Sequence, residues 1–396
     1  MNIIEKIFSK AAHKIEVRTG DIVEVGPDLI MSHDGDNVYN IDKFKHSFNC
    51  KKILNPKKII MGLDHNVPSN SISTAKIHSK MRRFAKEQNI IFYDQKGVLH
   101  QLMIENHVKP YQLIFAADSH ACTYGAFGAL GLPIGTTDNA YLWATGHTWY
   151  RIPKLYTVEI NGSLQYGVFA KDIALKIIER VKCDGFSEKI VQFCGDVIEK
   201  LSLSEKITLC NMASEGGAIS AIIDPDNEKP SKTDISFDIN DLEPLVAMPH
   251  SVDNIKKVTE VCEVKIDQVF IGSCTNGRFE DYLIVENILK NRKVSKDVRL
   301  YISPASNEQL KKITDKGILK TFIDAGAIIL NSGCSMCFGS CQGIMDDGEV
   351  LFTTGNRNYR ARVGTNQSYI FLGSPATAAA TAITGVISDP RKFISL

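Results

Sequence analysis

Short apolar runs of strand length recur along this chain, and each stops abruptly at a cluster of Asp, His, Ser or Cys. Residues 58–63 (KIIMGL) end at Asp64 and His65, and residues 111–116 (YQLIFA) end just before Asp118, Ser119 and His120. Residues 266–271 lead in the same way to Cys274. Apolar runs of this length, separated by helical segments, predict buried parallel strands. Open α/β sheets build ligand crevices at the carboxyl ends of such strands, so the Asp-His and Asp-Ser-His clusters are expected to face one cleft.

The alternation continues down the chain. Strands are expected at 156–161, 298–302 and 327–330, helices at Ala170–Val181, 192–200, 307–316 and 375–384, and a solvated connection at 224–234. At 396 residues the chain exceeds what one core serves. Three α/β domains are expected, spanning 1–153, 154–245 and 246–396.

Composition excludes several classes of function. With 46 Lys plus Arg against 45 Asp plus Glu, the net charge of +1 provides no field to hold nucleic acid or an anionic membrane. No run approaches the roughly 18–20 apolar residues that span a bilayer. Glu5, Lys6, Lys10 and Lys14 interrupt the N-terminal apolar residues, so no export signal is expected and the cytoplasm is the expected location. Its ten cysteines are then expected to stay reduced, most of them as small buried hydrophobes.

Three cysteines stand apart. Cys274 lies in FIGSCTNGRFEDY, and Cys334 and Cys337 lie in NSGCSMCFG, each after a strand-like run. A C-x-x-C pair alone serves zinc, redox and cluster sites alike. A closed zinc site wants four ligands, whereas here one further strand-end cysteine presents itself. Three thiolates suit a 4Fe–4S cluster, one iron of which is left free to act as a Lewis acid. Cys341 is the alternative fourth thiol and reads as a packed residue.

Seven motifs, SCTNGRFED, GCSMCFG, ADSHACTYGAFGALG, HQLMIEN, TLCNMASEGGA, GNRNYRAR and GSPATAAATAITG, resemble in order and spacing those of the aconitase family. The likeness is greatest to its branch of isopropylmalate dehydratase and homoaconitase large subunits, and it covers nearly the whole chain. It implies three aconitase-type α/β domains around a cleft that holds one 4Fe–4S cluster per subunit on Cys274, Cys334 and Cys337. It also implies an Asp64-His65 pair that protonates the leaving hydroxyl. His100, Asp118, His120 and Glu215 match the family's network around the cluster-bound water. Ser119, Arg357 and Arg362 match its substrate-carboxylate contacts, His33-Asp34-Gly35 its early substrate loop, and Asn211, Asn276 and Asn356 are candidate supporting donors around the cluster and substrate. Ala361 stands where the family usually has glycine, and Gly355 where it often has serine.

Single-chain members carry a further domain whose serine is the base. The resemblance therefore implies a separate small subunit that supplies this base and part of the pocket. The expected activity is that of a hydro-lyase that isomerises 2-isopropylmalate and 3-isopropylmalate in leucine biosynthesis. Homocitrate, citrate and 2,3-dimethylmalate are alternative 2-hydroxy-acid substrates. A non-catalytic iron–sulfur or zinc regulatory protein is the reading from a different class.

Overall fold

The computed structural model describes residues 1–35, 37–228, 230–339 and 341–394. After a short strand β1 (Ile22–Val25), five strands form a parallel sheet: β2 (Leu29–His33), β3 (Ile59–Leu63), β4 (Ile91–Asp94), β5 (Leu113–Ala116) and β6 (Leu130–Pro133). Their order is β4-β3-β2-β5-β6, and β7 (Thr148–Arg151) returns antiparallel to β1. Every residue of β3 and β5 is buried, which is why these strands read as continuous apolar runs.

A second parallel sheet, ordered β10-β9-β8-β11, comprises β8 (Lys154–Asn161), β9 (Lys189–Cys194), β10 (Ser220–Ile223) and β11 (Ile235–Asp238). The third is built from β12 (Leu245–Ala247), β13 (Ile255–Lys257), β14 (Gln268–Gly272), β15 (Arg299–Ser303), β16 (Ile328–Ile329), β17 (Val350–Thr353) and β18 (Tyr369–Gly373). Its order is β13-β12-β18-β17-β14-β15-β16, parallel from β18 to β16. The chain belongs to the mixed α/β class, with parallel sheets at its centre.

Helices Ala170–Val181 and Pro375–Thr384 form at the expected positions. The expected helix at 192–200 does not. Residues up to Cys194 belong to β9, which is buried from Ile190 to Phe193, and only Asp196–Lys200 is helical. The break is Gly195 at φ +106, where a Cβ would fall 2.3 Å from the Ile160 carbonyl oxygen.

The first two sheets share a core. Met31, Ile60 and Ile114 pack in one apolar cluster with Val158, Ile160 and Val191. Each such side chain contributes about 1.5–3 kcal/mol relative to exposure. The 3₁₀ segment Ser119–Phe127 wedges between them, and Gly125 approaches β10 so closely that a Cβ would lie 1.9 Å from the Ala221 oxygen. The third sheet meets the first through backbone bonds: Val98 N–H to Ala305 O at 2.7 Å, and Cys334 N–H to Asp64 O at 2.8 Å.

Candidate active site

Two sheets aim their strand ends at one place. In the first, strand order reverses between β2 and β5; in the third, between β14 and β17. Such switch points leave crevices beyond the carboxyl ends. Asp64-His65 follows β3 and Asp118-Ser119-His120 follows β5, while Cys274 follows β14 and Asn356 to Arg362 follow β17. A cavity of about 310 Å³ lies between them. Asp64, His65, His100, Asp118, Ser119 and His120 form one wall; the three cysteines, Asn356, Arg357 and Arg362 form the other. His33 and Gly35 also border it.

Asp34 fixes the turn after β3 by accepting the amides of Asp64, His65 and Asn66, each at 3.0 Å. Asp64 then divides its carboxylate. Oδ1 meets His65 Nδ1 at 2.7 Å, and Oδ2 accepts Leu99 N–H at 2.7 Å, which orients helix Leu99–Asn106 and hence His100. Burial would lower the His65 imidazole, but the charges of Asp64 and Asp34 overcome it and hold its pKa well above the ordinary value. With Nδ1 committed to Asp64, Nε2 is the atom left to carry a proton elsewhere.

His100 Nδ1 meets the buried Tyr124 hydroxyl at 3.0 Å, and its Nε2 lies 3.0 Å from Asp118 Oδ1. Burial opposes the Asp118 charge, yet the two histidines beside it, His100 and His120, hold its carboxyl well below the usual range. His120 Nε2 meets Glu215 Oε1 at 3.1 Å, and Glu215 accepts Arg357 Nε–H at 3.0 Å. Arg357 also donates to Ser119 Oγ at 2.9 Å. Glu215 thus stands behind the cavity wall as a link between His120 and Arg357. Among the described residues the buried Arg362 Nε–H has no hydrogen-bond acceptor, so it can serve a ligand carboxylate.

The cysteines fit a soft, multi-atom cofactor. Cys274 accepts Asn211 Nδ2–H at 3.2 Å, and Cys337 Sγ lies 3.5 Å from Asn356 Oδ1. Burial pushes the Cys274 thiol up to about 12, whereas contact with Cys334 holds Cys337 well below the thiol range. Cys341 turns away, its thiol donating to Ser335 O at 3.4 Å. Asn276 donates to Thr208 Oγ1 and Asp281 Oδ1.

Residues 5–231 and 247–385 match the sequence model of the aconitase family (aconitate hydratase). The chain belongs to the aconitase family. It is 41% identical over 99% of both chains to 3-isopropylmalate dehydratase large subunit 1 of Archaeoglobus fulgidus. It is 39% identical, again over 99% of each, to 3-isopropylmalate dehydratase large subunit 1 of Thermotoga maritima. A probable methanogen homoaconitase large subunit of Methanothermobacter thermautotrophicus is 41% identical over 99% of this chain and 98% of that one.

Two departures from the usual motifs of the aconitase family acquire a structural setting. Ala361 sits at φ +57, the left-handed conformation that glycine tolerates best. At Gly355 a Cβ would meet Thr353 Oγ1 at 3.1 Å and Cys337 Sγ at 3.4 Å, so its lack of a side chain suits a crowded cysteine loop. Sequence reasoning missed three residues. Tyr124 lies in a run of small residues and signals nothing until His100 is beside it. Arg278 lies inside the Cys274 motif, and its guanidinium donates to Cys274 O at 2.7 Å and to Thr208 Oγ1 at 2.8 Å. Lys171 breaks the apolar face of its helix, the one signal that it has a task.

Proposed function

We propose that this aconitase-family chain is the large subunit of a cytoplasmic hydro-lyase that interconverts 2-isopropylmalate and 3-isopropylmalate by dehydration and rehydration. The observation that carries this is the one cavity in which three thiols face buried Asp-His pairs and the guanidinium groups of Arg357 and Arg362. The names of relatives alike over the full length support the substrate assignment. In this reading the sheets are the cores of three domains, 1–153, 154–245 and 246–396. Cys274, Cys334 and Cys337 hold one 4Fe–4S cluster, whose iron without a cysteine ligand supplies a Lewis acid for the departing hydroxide.

The chain's own residues do the rest. Arg362 binds a substrate carboxylate, and Arg357, locked by Glu215 and Ser119, presents a second cationic edge. His65, kept protonated by Asp64, delivers its Nε2 proton to the leaving hydroxyl. Asp118 is ionised between His100 and His120, fixing which face each imidazole turns to the cavity. A small subunit, implied by the relatives' names as large subunits, supplies the base that removes the C–H proton.

The test is anaerobic reconstitution with iron, sulfide and the small subunit, followed by hydration assays on isopropylmalates and homocitrate. Highest kcat/KM on isopropylmalate, with little turnover by the large chain alone, is expected. Zinc without iron or sulfide in the anaerobic preparation would defeat the cluster assignment. Cys337→Ser is expected to abolish cluster absorbance while Cys341→Ser retains it. Homocitrate is the second reading, because a homoaconitase-named relative is as similar as a dehydratase-named one; preference for it in the same assay would decide in its favour.

A further inference from the structure

Lys171 is 1% exposed, although it carries one of the most strongly hydrated side chains. It sits in the first turn of helix Ala170–Val181, in the sequence region of the second sheet, and its side chain reaches the loops of the third. Its ammonium donates to Thr354 O at 2.8 Å, to Gly355 O at 2.5 Å and to Asn276 Oδ1 at 3.4 Å. Thr354 and Gly355 lead directly into Asn356 and Arg357, and Asn276 lies two residues beyond Cys274. One cation therefore ties the Cys274 loop to the arm carrying the cavity's arginines.

All three acceptors are neutral. Among the described residues no carboxylate pairs with Lys171, and the nearby ones are committed elsewhere. Asp281 accepts Asn276 Nδ2–H and Arg278 N–H, Asp172 accepts the amides of Phe169 and Leu245, and Glu215 holds Arg357. Burial lowers the Lys171 pKa to about 7, and with no carboxylate to hold its charge the ammonium would be stabilised by a negative group brought to this site. Three thiolates outweigh the charge of a 4Fe–4S core and leave the assembly anionic, more so when reduced.

We propose that Lys171 is a positioning residue for the cofactor: it clamps the two loops together and supplies the counter-charge of the three-thiolate cluster, favouring both its retention and its reduced state. This rests on the cluster reading above and adds a residue from outside the motifs that carry it.

The unaltered chain, K171M, K171Q and K171R are purified anaerobically, loaded with iron and sulfide, and followed by metal content, cluster absorbance and a mediated redox titration. K171M is expected to keep its cluster-free circular dichroism, to lose iron and sulfide at least tenfold faster, and to show a lower midpoint potential. A tenfold shift in the reduced-to-oxidised ratio corresponds to 59 mV for one electron. K171R, which keeps the charge, is expected to restore the potential. If K171M does not fold, K171Q, which keeps a donor and removes the charge, takes its place. Unchanged retention and potential in the neutral variants overturns the proposal, as does a K171R potential that tracks theirs. Failure of both neutral variants to fold without cluster, where the unaltered cluster-free chain folds, also overturns it and assigns Lys171 to folding. An unaltered chain that takes up no iron and sulfide would instead remove the cluster reading itself.

Discussion

Glu215 shows what a single carboxylate does in this site. Burial would raise its pKa, but the His120 hydrogen bond and the Arg357 charge reverse that and hold it below the ordinary value of 4.5. A carboxylate depressed in the folded state contributes stability above its unfolded pKa and loses that contribution as pH falls through the folded one. Glu215→Gln should therefore cost about 2 kcal/mol at pH 7, the scale of a hydrogen bond to a charged group. The gap to the unaltered chain should narrow as pH drops below 4.5. Urea midpoints across that range measure it, and a gap independent of pH would show that the Glu215 charge is not what stabilises. At this scale the motifs singled out Glu215, His100 and Asp118 by residue type, and the structure places all three at the cavity or directly behind its wall. The sequence was opaque where the role comes from a tertiary neighbour: Tyr124 and Lys171 acquire theirs only when His100 and the Thr354–Gly355 carbonyls are brought to them.

Secondary elements were readable in proportion to how fully tertiary packing agreed with local pattern. β3 and β5 are buried along their length, so their apolar runs stand out, and helix Pro375–Thr384 begins with a Ser374 cap and a proline. β9 was misread because its run of buried residues has no alternation to separate strand from helix, and only the turn at Gly195 marks the boundary. Interfaces between elements leave a fainter trace still. Gly125 looks like one of several small residues, yet it sets how closely the 3₁₀ segment Ser119–Phe127 approaches β10. Gly125→Ala forces that contact apart and should cost about 1–3 kcal/mol or more. Chemical denaturation is the readout, and a midpoint shift too small to resolve would mean the segment yields without loss.

At the scale of the whole molecule, the site exists only because two switch points from separate sheets meet, which no local pattern encodes. The motifs named the participants; their convergence is a property of the assembled chain. The wall that carries Asp64 and the loop that carries Cys334 are joined by the Cys334 N–H to Asp64 O bond, and His65 packs edge-on against Phe338 at 4.6 Å between ring centroids. Asn211, from the region between β9 and β10, donates to Cys274 and accepts from Thr275 Oγ1 at 3.0 Å. A cofactor held by the three cysteines, as proposed, would thus be mechanically connected to all three sheets. Because it binds the folded form, loading should raise stability by mass action, and the gain should be felt wherever those connections run. Hydrogen exchange on cluster-free and loaded protein should show slowed amides at Thr275, Cys334 and Asn356, and also at His65, Leu99 and Asn211, which lie outside the cysteine loops. Protection confined to the cysteine loops would mean that the sheets respond independently. Slowing that reaches His65 and Asn211 would show the cofactor acting as the keystone between acid–base wall and cysteine wall, so that one binding event both equips the cavity and fixes its geometry.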